Sequence, residues 1–172
     1  MTVWFDFDEV DAFTVGTVGR PGARTFFLQI RRGGTHVTVK CEKQQAAAIA
    51  QYLRRVLSDL PEPTERPMPG AMELTDSFES AFVLGPVGLG YNRESDTVLV
   101  QLDEVPLVDE DDEPVETDDE DDDLSHVRLL LTRSQAAAFC ARADEIVAAG
   151  RATCRWCSRP IDPDGHACPR MN

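Results

Sequence analysis

The residues of this chain best suited to chemistry lie near its end, in "CRWCSRPIDPDGHACPR", where Cys154 and Cys157 form a Cys-x-x-Cys and His166 and Cys168 follow after an eight-residue gap. Three thiols and an imidazole are the ligand types that tetrahedral zinc takes. The Pro, Asp and Gly between the two pairs supply the turn that brings them together. The spacing therefore predicts a Zn2+ site at Cys154, Cys157, His166 and Cys168. Four protein ligands fill a tetrahedral shell and leave no place for water or substrate, so the expected metal is structural. The competing readings are a free-thiol tail and a redox Cys-x-x-Cys, and the latter belongs at a helix N-terminus in a thioredoxin-like strand and helix pattern, which is absent around Cys154. Some twenty residues from Arg151 onward cannot build a core, and the tail is expected to order only around its metal. The short His-x-Cys second pair fits a compressed knuckle better than a full ribbon.

The elements ahead of this tail are written twice. "FTVGTVG" from Phe13 returns as "FVLGPVG" from Phe82, and "HVTVKCEKQQAAAIAQYLRRVL" from His36 returns as "HVRLLLTRSQAAAFCARADEIV" from His126. The first pair is offset by 69 residues and the second by 90, which leaves 21 extra residues in the second copy. Each copy reads as strand, strand, strand, helix. In the first, "RTFFLQIR" and "HVTVKC" flank a Gly-Gly hairpin turn. The period then changes to helical, with Ala46, Ile49, Leu53, Val56 and Leu60 on one face and Ala136, Phe139, Ala143, Ile146 and Val147 on its counterpart. Thr132 and Gln135 make a capping box for the second helix, and Glu42 sets a carboxylate at the matching point of the first. "VWFDFDEV" adds an N-terminal strand, with Phe5 and Phe7 on one side and Trp4, Asp6 and Asp8 on the other.

The expected fold is α+β: an internally duplicated β-β-β-α unit packed about a pseudo-two-fold axis as one domain, with a small C-terminal zinc knuckle. Its divisions are a first copy at 1–60, a Pro-rich linker at 61–79, a second copy at 80–150 and the knuckle at 151–172. Whether the strands of the two copies join one sheet is left open by the sequence. Glycines at 16, 19, 85, 88 and 90 read as bends at strand ends.

A net charge of -14 over 172 residues would describe the whole surface if it were spread out, but fourteen acids and no bases lie between Asp103 and Asp123. The remainder holds seventeen acids against seventeen Lys and Arg, so the folded part is near neutral. The window 103–123 reads as an insertion between two strands of the second copy, solvated and not required by the fold. Dense like charge without a glycine-turn register gives weak cation binding at most. Its candidate role is docking on a basic partner or mimicking nucleic acid, against a plain solubilising insertion.

Other candidates give less. "GPVGLG" has neither dinucleotide nor Walker spacing. His36 and His126 occupy matching positions, a structural role shared by both copies, with a catalytic pair as the alternative. Cys41 and Cys140 read as small core residues. The tail sets four arginines against two aspartates, with no basic helix or second finger, and the acidic window would repel phosphate, so nucleic acid is disfavoured as a partner. No long apolar run and no basic-then-apolar leader are present, which predicts a cytoplasmic protein away from membranes, and five cysteines fit a reducing compartment.

Together "FDFD", "GTVGRPGARTFFLQIR", "EKQQAAA" and "CRWCSRPIDPDGHACPR" resemble an actinobacterial family classed as domain of unknown function 3090, over nearly the whole chain. The acidic insertion is the main departure. The resemblance implies an intracellular bacterial protein with no assigned activity or catalytic residues, in a family whose genes tend to neighbour a histidine-phosphatase-like and a kinase-like protein. It carries over only the tail ligands. The expected function is a non-enzymatic adaptor or regulatory protein that works through a protein partner. The alternatives are an enzyme or ligand-binding domain with a cleft lined by His36, His126 and Arg24, and nucleic-acid association through the tail.

Overall fold

A computed structural model describes residues 2–68, 70–75, 79–106, 124–162 and 164–171. It is a mixed α+β structure: β1 (Trp4–Phe7), β2 (Ala12–Val18), β3 (Thr25–Arg32), β4 (Thr35–Cys41), α1 (Lys43–Ser58), β5 (Phe82–Asn92), β6 (Thr97–Glu104), β7 (His126–Leu131) and α2 (Arg133–Ala148). The strands form one seven-stranded sheet in the order β1-β7-β6-β5-β4-β3-β2. This answers the question the sequence left open. Two antiparallel three-stranded runs join through a short parallel pairing of β4 with β5, Val39 to Phe82 and Lys40 to Val83. β1 adds to the far edge, parallel to β7, with Trp4 opposite His126.

Alternation decides which side of each strand meets the helices. Phe13 and Val15 of β2, Leu28 and Ile30 of β3, and Val127, Leu129 and Leu131 of β7 are all buried. They pack on the apolar stripes of α1 and α2, where Ala46, Ile49, Ala50 and Leu53 are buried on one helix and Ala136, Phe139, Cys140 and Ala143 on the other. The small residues among these let the two helices approach closely, and Cys140 Sγ lies 3.4 Å from the Ala50 carbonyl. One turn further, Arg54 pairs with Asp144 at 2.8 Å. Both contacts join positions ninety residues apart.

Each helix starts with a glutamine that serves twice. Gln135 N–H donates to Thr132 Oγ1 at 3.1 Å and its side-chain oxygen accepts from Thr132 N–H at 3.0 Å, closing a capping box. Its Nε2 also donates to the Val10 carbonyl, just ahead of β2. Gln45 does the same for α1, accepting from Glu42 N–H and donating to the Leu84 carbonyl of β5. Each helix is thereby tied to the first strand of the opposite half.

Residues 70–75 lie across the other side of β2, β3 and β4 as a strap. Thr14 and Gln29 are wholly buried polar residues there. Thr14 Oγ1 donates to the Met72 carbonyl at 2.5 Å, Gln29 Oε1 accepts from Thr75 N–H at 2.9 Å, and the Arg31 guanidinium donates to the Ala71 carbonyl. Buried polar groups need such partners, and here main chain supplies them. The strap corrects the reading of Gly16 as a strand-end bend. Gly16 lies inside β2, and a Cβ on it would fall 2.4 Å from Leu74 Cγ, so it is the seat of the strap's Leu74. Gly88 and Gly90 likewise lie within β5 rather than at its end. Gly85 does mark a bend: the register of β5 slips between Leu84 and Val87, and a Cβ on Gly85 would meet Val105 backbone at 2.6 Å. Gly16→Leu is expected to eject Leu74 and destabilise the chain by about 1–3 kcal/mol, as overpacking does. Chemical denaturation would measure the loss, and Leu74→Ala in the same chain should return part of it.

The acidic window also needs adjustment. Asp103 and Glu104 close β6, and Ser125 exchanges hydrogen bonds with Glu104, its N–H reaching Glu104 Oε2 and its carbonyl accepting from Glu104 N–H. Asp103 shares the more open face with Gln101, whereas Glu104, in register with the buried Val98, Val100 and Leu102, sits at the strand end with its carboxylate accepting from Ser125 N–H. The insertion reading for the rest, residues 107–123, falls outside the described residues.

Candidate functional site

The tail begins where α2 ends. Arg24 Nη1 donates to the Ile146 carbonyl at 2.9 Å and lies over the Phe26 ring, so a cation satisfies a late helical carbonyl. Arg151 then runs against Gly22 and pairs with Asp162 at 2.6 Å. From there the chain folds on itself. Thr153 and Pro160 form a single antiparallel bridge, Cys154 N–H donates to the Arg159 carbonyl at 2.8 Å, and Ser158 N–H donates to the Cys154 carbonyl at 2.9 Å. Ser158 takes a positive φ of 59° to close this turn. A second turn, with Gly165 N–H on the Asp162 carbonyl, returns His166 and Cys168 to the first pair; Gly165 has a φ of 92°, which suits glycine.

These two turns bring the four expected ligands together. The ligand atoms of Cys154, Cys157, His166 and Cys168 all lie within 4.8 Å of one another. Cys154 Sγ is 3.9 Å from Cys168 Sγ, and Cys157 Sγ is 3.3 Å from His166 Nε2. Two thiolates about 2.3 Å from one zinc at a tetrahedral angle stand roughly 3.8 Å apart, so the sulfur spacing fits a shared ion. The cluster can hold a metal.

The electrostatics agree. Backbone N–H groups of Cys157 and Trp156 point at Cys154 and bring its thiol down to about 6, with the Trp156 N–H 3.4 Å from the sulfur. Cys168 is pushed up: a backbone hydrogen bond at Arg170 favours its thiolate, but burial and the neighbouring Cys157 and Cys154 outweigh it. A ready thiolate at Cys154 beside a Cys168 thiol that resists ionisation is the pattern of crowded ligands, which a divalent cation relieves. Elsewhere the cysteines are inert. Burial holds Cys41 up at about 12 and raises Cys140, in keeping with their reading as core residues.

The remaining candidates are not brought together. His36 is on β4 and His126 on β7, with β5 and β6 between them, and the register sets them at different heights along the strands as well. His36 Nδ1 lies 3.4 Å from Thr75 Oγ1 of the strap, while His126 packs on Trp4 with ring centroids 4.1 Å apart. Arg24 serves the end of α2. A groove lies elsewhere, between the segment that includes Glu62, Arg66 and Met72 and the outer side of α2, and none of His36, His126 and Arg24 lines it. Nothing in the periodicity marked that groove, because its floor is the Ala137, Ala138 and Ala141 side of a helix whose sequence signals its buried face.

Neither helix is long and apolar enough to cross a membrane. Among curated proteins and among solved structures, no match is found. A family model described as "Protein of unknown function (DUF3090)" does match, over residues 5–168, which takes in all but the first residue of β1, the other described strands, both helices and the Cys154, Cys157, His166 and Cys168 cluster, and the chain belongs to that family.

Proposed function

We propose that this chain is a non-enzymatic adaptor or regulatory protein of the bacterial cytoplasm that acts through protein contacts, with a structural Zn2+ at Cys154, Cys157, His166 and Cys168. The observation that carries the reading is the closed Cys3His set, whose sulfur spacing of 3.9 Å suits tetrahedral zinc and whose four ligands use every position. A metal so enclosed holds a fold. The fold it holds presents Trp156, half exposed and under the Arg155 guanidinium at 4.8 Å, as a surface for contact. The body behind it is proposed to be an internal duplication, with copies at 1–60 and 80–150. The meetings of Ala50 with Cys140 and Arg54 with Asp144 support that, since a two-fold axis places equivalent positions face to face.

The test is affinity capture from the source cell, using the full chain and its Cys154→Ser/Cys157→Ser form. The reading expects a stoichiometric protein partner that survives nuclease treatment. Capture of nucleic acid alone, lost in the substituted form, would replace it with the nucleic-acid alternative.

A further inference from the structure

The groove beside α2, about 970 Å3 in volume, is within the size range of ligand sites and is open along its length. Its floor is Ala137, Ala138 and Ala141, whose methyl groups let another backbone approach closely. Leu57, Met68 and Met72 give it apolar walls, and methionine adapts to varied apolar side chains. Its charge is one-sided. Glu62, Glu65 and Glu73 line it without an ion pair among the described residues, against Arg66. The other arginine, Arg142, is held by Glu145 at 2.8 Å. Arg142 therefore adds no free cation to the groove.

We infer that this groove binds an extended peptide segment carrying basic side chains beside an apolar one. The carboxylates take the basic groups, and the methionine and leucine walls take the apolar side chain. The inference rests on the adaptor reading and deepens it by naming the partner's chemistry and its seat.

The probe is a fluorescent nonapeptide of alternating Lys and Leu with a central benzoylphenylalanine, added to the full chain; its Glu and Leu counterpart is the control. The acidic run also attracts cations, so photo-cross-linking with peptide mapping locates the contact. Expected are cross-links to residues lining the groove, among 57–73 and 134–145. Ala138→Trp, which fills the floor, and Glu65→Lys/Glu73→Lys, which reverses its charge at the surface, should each weaken binding about ten-fold or more. Cross-links confined to 107–123, equal binding of the acidic control, or affinities within two-fold of the parent in both variants would overturn the inference. Groove cross-links with no partner in the capture experiment would overturn the adaptor reading alone.

Discussion

Purified with its tail ligands intact, the chain is expected to carry one zinc per molecule, and Cys154→Ser/Cys157→Ser none. The reason is thermodynamic. Apart from the four ligands, the tail has, among its described residues, one bridge, Thr153 to Pro160, an exposed ion pair of Arg151 with Asp162, a hydrogen bond from Arg170 to the Trp156 carbonyl and a few turn hydrogen bonds. Its one fully buried apolar group is Cys154 itself among the described residues. So little packing cannot offset the backbone entropy of about 1–2 kcal/mol per ordered residue. Structural zinc in such modules contributes apparent free energies of about 10–16 kcal/mol at neutral pH, enough to reverse the balance. Metal analysis of the two proteins reads the stoichiometry. Limited trypsin digestion reads the folding: Arg151 and Arg155 should become cleavable in the substituted form while the body survives. Equal metal content in both samples would refute the site.

The largest loss of body stability is expected from Phe139→Ala. Phe139 is wholly buried on α2 and stacks on Phe13 of β2, with centroids 4.5 Å apart and planes 7° from parallel. Removing a buried phenylalanine costs about 3–5 kcal/mol, because the cavity collapses only in part. The stacked pair adds about 0.5–1.5 kcal/mol of its own. For a chain of this size each kcal/mol moves the melting temperature by about 2–4 °C, so a fall on the order of 10 °C is expected in a thermal melt. Phe139→Leu, which keeps most of the volume, should lose less than half as much. A change under about 1 kcal/mol for the alanine variant would mean that α2 does not seat on β2.

Local patterns made much of this architecture readable. The Gly33-Gly34 turn, the alternation in β3 and β4, and the Thr132 and Gln135 capping box are all decided by residues close in sequence. The gathering of Cys154, Cys157, His166 and Cys168 was readable for the same reason, since their spacing and the turn residues between them belong to one short segment. Non-local choices were not. The parallel joint between β4 and β5 involves two residue pairs, and β1 pairs with a strand at the other end of the body. The strap was hidden because Gln29 and Thr14 look like ordinary outward positions of a half-buried strand. Their partners are carbonyl and amide groups of residues 70–75, which every residue owns and no side-chain pattern announces.

The pairing of β1 with β7 has a consequence for how the protein is made. Trp4 sits opposite His126, 122 positions later, so during synthesis the first strand emerges long before its partner exists. At about 5–20 residues per second, roughly 6–24 s separate the two on the ribosome. Throughout that interval the nascent chain holds out a short segment whose Phe5 and Phe7 have no core to meet. Pairing of β1 into the sheet therefore waits for the translation of β7, the last of the described strands to be made.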